Sequence, residues 1–143
     1  MILILAISTC KIEQECNLNN PVIIQVVGES YEWKYLFKDI DNKFDSGDEL
    51  FYRNSLHLPA NTNVQLEIIS KDFIYFFSIP ELRLIETAMP DKTYFLNFKT
   101  PNPQTLSIEG DQMCGYNHES LSGELVIESP YLFCRWLKKQ TTN

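Results

Sequence analysis

Short runs that alternate apolar with polar residues recur along most of this chain. Turn-forming residues close each run, and a period of two predicts strands rather than helices. Residues 22–27 are β-branched and apolar and stop at Gly28. Over residues 31–37 the alternation puts Tyr31, Trp33, Tyr35 and Phe37 on one face, as core or as a docking surface. A short strand falls within residues 50–58, and the stretch from Pro59 through Asn61 to Asn63 turns the chain. Residues 64–69 alternate cleanly with Val64, Leu66 and Ile68 inward, and Ser70, Lys71 and Asp72 form the next turn. An apolar strand over 73–79 ends at Pro80, and strands over 93–98 and 105–108 flank a turn at Pro101, Asn102 and Pro103. Residues 123–128 are the last strand. Many short strands with turns between them predict an all-β chain folded as an antiparallel sandwich or barrel.

A single short helix follows. Ser129 is placed to cap its first amides and Pro130 suits the first helical position, with Leu132, Trp136 and Leu137 as the apolar stripe. Lys138 and Lys139 fall at its end, where positive charge is favourable. The loop over 110–121 carries the only chemistry that stands out. Cys114 and His118 lie four residues apart around Gly115 and Asn117, which is half of what a soft metal such as copper needs. The residues that could complete a single-copper site are Met113, His57 or a group from a partner. A Cys114 nucleophile with a His118 base is disfavoured, because only Glu119 is at hand to orient the base and four-residue loop spacing seldom aligns such a pair.

Composition narrows the picture. With 143 residues, 44% of them hydrophobic, one domain can bury a core without metal or disulfide staples. No apolar run has the length of a bilayer span. The net charge of −7 argues against a nucleic-acid partner and permits attraction to a basic protein. Residues 38–49 hold Asp39, Asp41, Asp45, Asp48 and Glu49 against two lysines, and read either as a solvated loop or as a landing patch for a basic electron carrier. Residues 1–9 are apolar or small and run into Cys10, too short and without the basic start of a complete signal peptide. Residues 1–20 are therefore the truncated tail of an export signal or anchor, with Cys10 a lipidation candidate, or else a packed strand. The four cysteines, Cys10, Cys16, Cys114 and Cys134, define no disulfide framework, and a Cys10 to Cys16 bridge requires an oxidising compartment.

Several anchors together resemble the extramembrane copper domain of cytochrome c oxidase subunit II. They are Gly28 with Tyr31 and Trp33, Leu58 with Pro59, Ser70 with Asp72, Pro80 with Leu82, Ala88 with Pro90, and the run from Cys114 through Gly115, Tyr116 and Asn117 to His118. The likeness covers 21–139 and leaves 140–143 as a polar tail. It implies a cupredoxin-like Greek-key β-sandwich with a short C-terminal helix. In that family the domain carries a dinuclear copper centre, Cu-A, built on two bridging thiolates, two imidazoles, a thioether and a carbonyl.

The resemblance also assigns ligand positions, and most carry other residues. The first imidazole falls at Tyr75, the first thiolate at Gly110, the thioether at Leu121, and the acidic residue shared with a magnesium site at Gln112. Thr87 stands for a second magnesium-linked carboxylate, and Tyr31 for the tryptophan through which electrons arrive. Only Cys114 and His118 match the ligand set. The expectation is a subunit-II-like domain of a respiratory haem-copper oxidase or related assembly, with a degenerate Cu-A site and a structural or interaction role. The second reading is a single-copper electron-transfer cupredoxin on Cys114 and His118. The implied cofactor is none, or copper at low occupancy or as one ion. The implied partners are the other subunits of a membrane respiratory complex and a basic cytochrome c, met at Tyr31, Trp33, Asp39, Asp41 and Asp45, with no nucleic acid. The implied place is the outer face of an energy-transducing membrane, in the periplasm or intermembrane space, peripheral or anchored through a partner. At most the chain is a non-catalytic subunit of an oxidoreductase.

Overall fold

The computed structural model describes residues 21–37, 50–53, 55–112 and 119–141. Residues 1–20, the acidic stretch with Asp39, Asp41 and Asp45, and the segment from Met113 through Cys114 to His118 lie outside the described residues. Among the described residues, ten strands form two five-stranded sheets. In chain order they are β1 (Val22–Glu29), β2 (Glu32–Phe37), β3 (Leu50–Arg53), β4 (Ser55–Pro59), β5 (Asn63–Ser70), β6 (Tyr75–Ile79), β7 (Leu84–Ala88), β8 (Tyr94–Lys99), β9 (Gln104–Gln112) and β10 (Gly123–Glu128). The first sheet has the order β3-β2-β1-β5-β8 and the second β4-β10-β9-β6-β7. Helix α1 (Pro130–Thr141) follows.

The two-sheet, all-β expectation is met, with differences in detail. The sheets are mixed, since β1 runs parallel to β5 and β4 parallel to β10. Residues 50–58 hold two strands, and β3 and β4 enter different sheets. Strand β1 continues through Gly28 to Glu29, and β9 runs on to Gln112, so Gly110 and Gln112 belong to a strand and not to a loop. Strand β6 starts only at Tyr75, because Ser70, Asp72 and Phe73 close a turn on themselves. The Ser70 hydroxyl donates to the Phe73 carbonyl, and the Phe73 amide donates to Asp72 Oδ1 at 2.7 Å. Strand β7 has no clear sequence signal. It follows a 3₁₀ turn over Pro80–Leu82 that ends on Arg83 in the left-handed region, at φ 55°.

The core lies between the sheets. Ile24, Val26, Tyr35, Leu66 and Ile68 of the first sheet face Leu56, Leu58, Phe77, Ile79, Ile108 and Leu125 of the second, all fully or nearly fully buried. Burying such side chains stabilises the fold by about 1.5–3 kcal/mol each. Thr100 ties one end together: its hydroxyl donates to the Pro59 carbonyl at 2.6 Å and accepts the Thr62 amide at 2.9 Å.

Helix α1 starts as its sequence predicts, with the Leu132 amide donating to Ser129 Oγ at 3.3 Å. Its buried stripe differs from the expected one. Phe133 is buried and Trp136 and Leu137 are half-buried, while Leu132 is 49% exposed. Phe37 packs against both Phe133 and Trp136, and this contact sets the rotation of the helix. No described helix is long and apolar enough to cross a membrane.

Candidate functional site

Gly28 and Gly110 mark two walls at one end of the sandwich. They sit on β1 and β9, in different sheets, and each stands where an added Cβ would strike a ring. At Gly28 that Cβ would lie 2.6 Å from Cδ2 of Tyr75 and 3.1 Å from Cζ3 of Trp33. At Gly110 it would lie 2.7 Å from Nε1 of Trp33 and 3.0 Å from Cβ of Leu121. Isolated glycines inside strands often mark such close approach. The space between the walls is filled by Trp33 and Tyr75, whose ring centroids are 5.7 Å apart in an edge contact, with Phe77 beneath Trp33 at 5.1 Å.

Both rings also place their polar atoms. Trp33 Nε1 donates to the Leu121 carbonyl at 2.9 Å, a buried bond that joins β2 to the 3₁₀ turn over Glu119–Leu121. The Tyr75 hydroxyl donates to Asp72 Oδ1 at 2.8 Å and accepts the Tyr31 amide at 3.2 Å. Ser30 and Tyr31 turn the β1–β2 hairpin at φ 53° and 62°, a left-handed conformation that is uncommon for a serine or tyrosine. Two further bonds hold this turn: the Ser30 amide donates to Asp72 Oδ2 at 2.8 Å, and the Ser120 hydroxyl donates to the Tyr31 carbonyl at 2.6 Å. The Tyr31 ring stacks on Phe73 at 5.4 Å, and Phe73 is 43% exposed.

The electrostatics follow from these contacts. Burial pulls the Asp72 carboxyl up, but the Ser30 and Phe73 amides and the Tyr75 hydroxyl outweigh it and leave the group below its ordinary range. Burial first, and then the Asp72 carboxylate, push Tyr75 up to about 12, against the opposing pull of the Tyr31 amide. Asp72 is therefore ionised and Tyr75 neutral near neutral pH. Gln112, opposite Tyr75 in the β6–β9 register, is buried, and its Oε1 finds no partner among the described residues.

The residues singled out in the sequence fare differently. Trp33 is 3% exposed and belongs to the core, so it presents no docking face, whereas Tyr31 sits half-buried at the hairpin tip. His57 is engaged elsewhere: its Nδ1 meets Glu128 Oε1 and its ring stacks on Trp136 at 4.1 Å, where it helps dock α1. Cys134 is disulfide-bonded. Among the described residues no three His, Cys, Asp or Glu side chains gather as a metal site. Phe73 and Ser120 carried no distinguishing pattern in the sequence. The isolated glycines at 28 and 110 are the signals that could have flagged the ring packing beforehand.

Comparison with known proteins agrees with this architecture. The family described as cytochrome c oxidase subunit II, periplasmic domain, matches residues 22–129. Cytochrome c oxidase subunit 2 of Oncopeltus fasciatus is 28% identical over 142 residues, covering 88% of this chain and 61% of that protein. The protein of the same name from Thermostichus vulcanus is 25% identical over 118 residues, covering 82% of this chain and 33% of that one. The chain thus spans about one third to three fifths of the length of these curated relatives. Among solved structures, the periplasmic domain of subunit II of cytochrome oxidase from Bradyrhizobium japonicum superposes with a TM-score of 0.72 at 14% identity, over 87% of this chain and 96% of that one. A chain of a heme-copper terminal oxidase dimer superposes at 0.55 with 13% identity, over 89% and 92%. At such identities the superpositions speak for the fold.

Proposed function

The chain belongs to the family of cytochrome c oxidase subunit II periplasmic domains, and from that premise we propose that it serves a respiratory assembly as a structural and interaction subunit, with a degenerate Cu-A site. The observation that carries this reading is Tyr75. Where the family resemblance assigns an imidazole ligand, a phenol stands with its oxygen already bonded to the Tyr31 amide and the Asp72 carboxylate. A neutral phenol pushed up to about 12 is a poor donor to copper.

The other described positions point the same way. Gly110 offers no thiolate, and a side chain there has to displace Trp33. Leu121 is fully buried and offers no thioether. The described half of the site does not fit a two-copper centre, so no electron step is assigned to it. The second reading, one copper on Cys114 and His118, loses His57 as a supplementary ligand, because His57 is bound to Glu128 and stacked on Trp136.

The domain proper is taken as 21–139, as the resemblance implies, with α1 continuing to Thr141. Its place is the outer face of an energy-transducing membrane, and its partners are the other subunits of the assembly and a basic cytochrome c. The family supports that placement, and so does the disulfide at Cys134, since such bonds persist in oxidising compartments. Copper reconstitution followed by metal analysis and optical spectra tests the reading. Little bound copper is expected. Near-stoichiometric metal with strong thiolate-to-copper absorption would overturn it in favour of the electron carrier.

A further inference from the structure

In a metal-bound end of a sandwich, one ion ties several strands and loops together, and removing ligands should leave that end loose. Here the described residues of the same end are densely cross-linked by protein groups. Tyr75 on β6 reaches the β1–β2 hairpin through the Tyr31 amide, and the β5–β6 turn through Asp72. Asp72 reaches back to the hairpin through the Ser30 amide. The Glu119–Leu121 turn is tied to the same hairpin twice, by Ser120 to the Tyr31 carbonyl and by Trp33 to the Leu121 carbonyl. The rings that make these bonds fit only because Gly28 and Gly110 leave them room.

Two left-handed non-glycine residues in succession are costly, and such a turn persists only where its surroundings over-determine it. The bonds converging on Ser30 and Tyr31 come from Asp72, Tyr75 and Ser120, and none of these residues belongs to the hairpin itself. We infer that Tyr75 is the positioning residue of this end: its phenol, lodged against Gly28 and bridging the Tyr31 amide to the Asp72 carboxylate, replaces a metal cross-link and fixes the aromatic pair Tyr31 and Phe73 at the surface. The inference deepens the metal-free reading above and rests on it. It adds that the hairpin tip is ordered without any ion, so that a partner meets Tyr31 already in place.

The test is site-resolved hydrogen exchange on the full chain, with EDTA and with added copper. Tyr75→Phe removes only the hydroxyl. It should speed exchange of the Tyr31 amide by about tenfold or more while the sheet amides of Leu66 and Leu96 keep their protection, and EDTA or copper should change neither pattern. Unchanged exchange at Tyr31 in Tyr75→Phe would overturn the inference and leave the metal-free reading standing. Uptake of two copper ions by the unaltered chain, with slower exchange at the hairpin tip, would overturn both. Should Tyr75→Phe fail to fold, Asp72→Ala at the exposed turn gives the same discrimination: the Ser30 and Tyr31 amides should both exchange faster, and unchanged rates at both would sink the inference.

Discussion

Tyr75 donates its phenolic proton to the Asp72 carboxylate at 2.8 Å, three residues back along the chain, and the ionised partner makes this bond stronger than a neutral one. Tyr75→Phe should therefore lower unfolding free energy by about 1–2 kcal/mol, measured by urea titration at neutral pH. Asp72 has its carboxyl lowered in the folded state, so its contribution is complete above the unfolded value and is lost as pH falls through the folded one. The unaltered chain should lose this part of its stability below about pH 4, and Asp72→Asn should flatten that limb. Tyr75 is raised, so its contribution is complete below its unfolded value of about 10 and is lost as pH rises toward about 12. The alkaline limb should shrink in Tyr75→Phe.

Gly110→Ala or Gly110→Cys should cost about 1–3 kcal/mol, because the new Cβ meets Trp33 Nε1 at 2.7 Å and Leu121 Cβ at 3.0 Å. A double-mutant cycle with Trp33→Phe should show strong coupling, and additive thermal shifts would contradict the contact. Tyr75→His with Gly110→Cys should begin to restore copper affinity at that cost in stability. Complete indifference of the double variant to copper would count against assigning those two positions to the ligand set.

Thr100→Val keeps the shape of a buried side chain and removes the hydroxyl that Pro59 and Thr62 share. An unpaired buried carbonyl and amide should cost about 1–3 kcal/mol, read as a lower melting temperature with no change in copper binding. A neutral outcome would mean that water replaces the hydroxyl.

Trp136→Ala removes the ring that stacks on His57 and packs on Phe37 and Phe133. About 3–4 kcal/mol should be lost, with α1 amides exchanging faster than those of the sheets. Equal acceleration throughout would show that helix and sandwich unfold as one unit.

If residues 38–49 receive a basic partner, neutralising Asp39, Asp41 and Asp45 should slow association with a basic cytochrome c at low salt and matter little at high salt. Identical rates under both conditions would reject the patch.

Period-two alternation placed β2 and β5 with their inward side chains, because each buries one face and leaves the other more exposed, and short apolar or β-branched runs bounded by turn residues placed β1, β8 and β10. Ser129 and Pro130 likewise located the helix start. The extent of β9 and the existence of β7 were not legible. Strand β9 continues through Gly110 only because β6 pairs with it across Phe77, and β7 is held by β6 with little alternation of its own. Leu132 and Phe133 are adjacent in a helix, and choosing which of them is buried required Phe37 to be in place.

For the candidate site, the family resemblance assigned ligand positions to Tyr75 and Gly110, and the chain itself shows that these are a phenol and a glycine. How the Tyr75 hydroxyl is bonded could not be read there. Tyr75, Asp72, Ser30, Tyr31 and Ser120 are distributed over more than eighty residues, and only the pairing of β1 with β5 and of β6 with β9 brings their polar atoms within hydrogen-bonding distance. Local pattern decides which face of a strand is apolar, since that depends on neighbours two residues away. Whether a buried hydroxyl finds a partner depends on strands that meet across the sheet, and so it was settled by the tertiary fold.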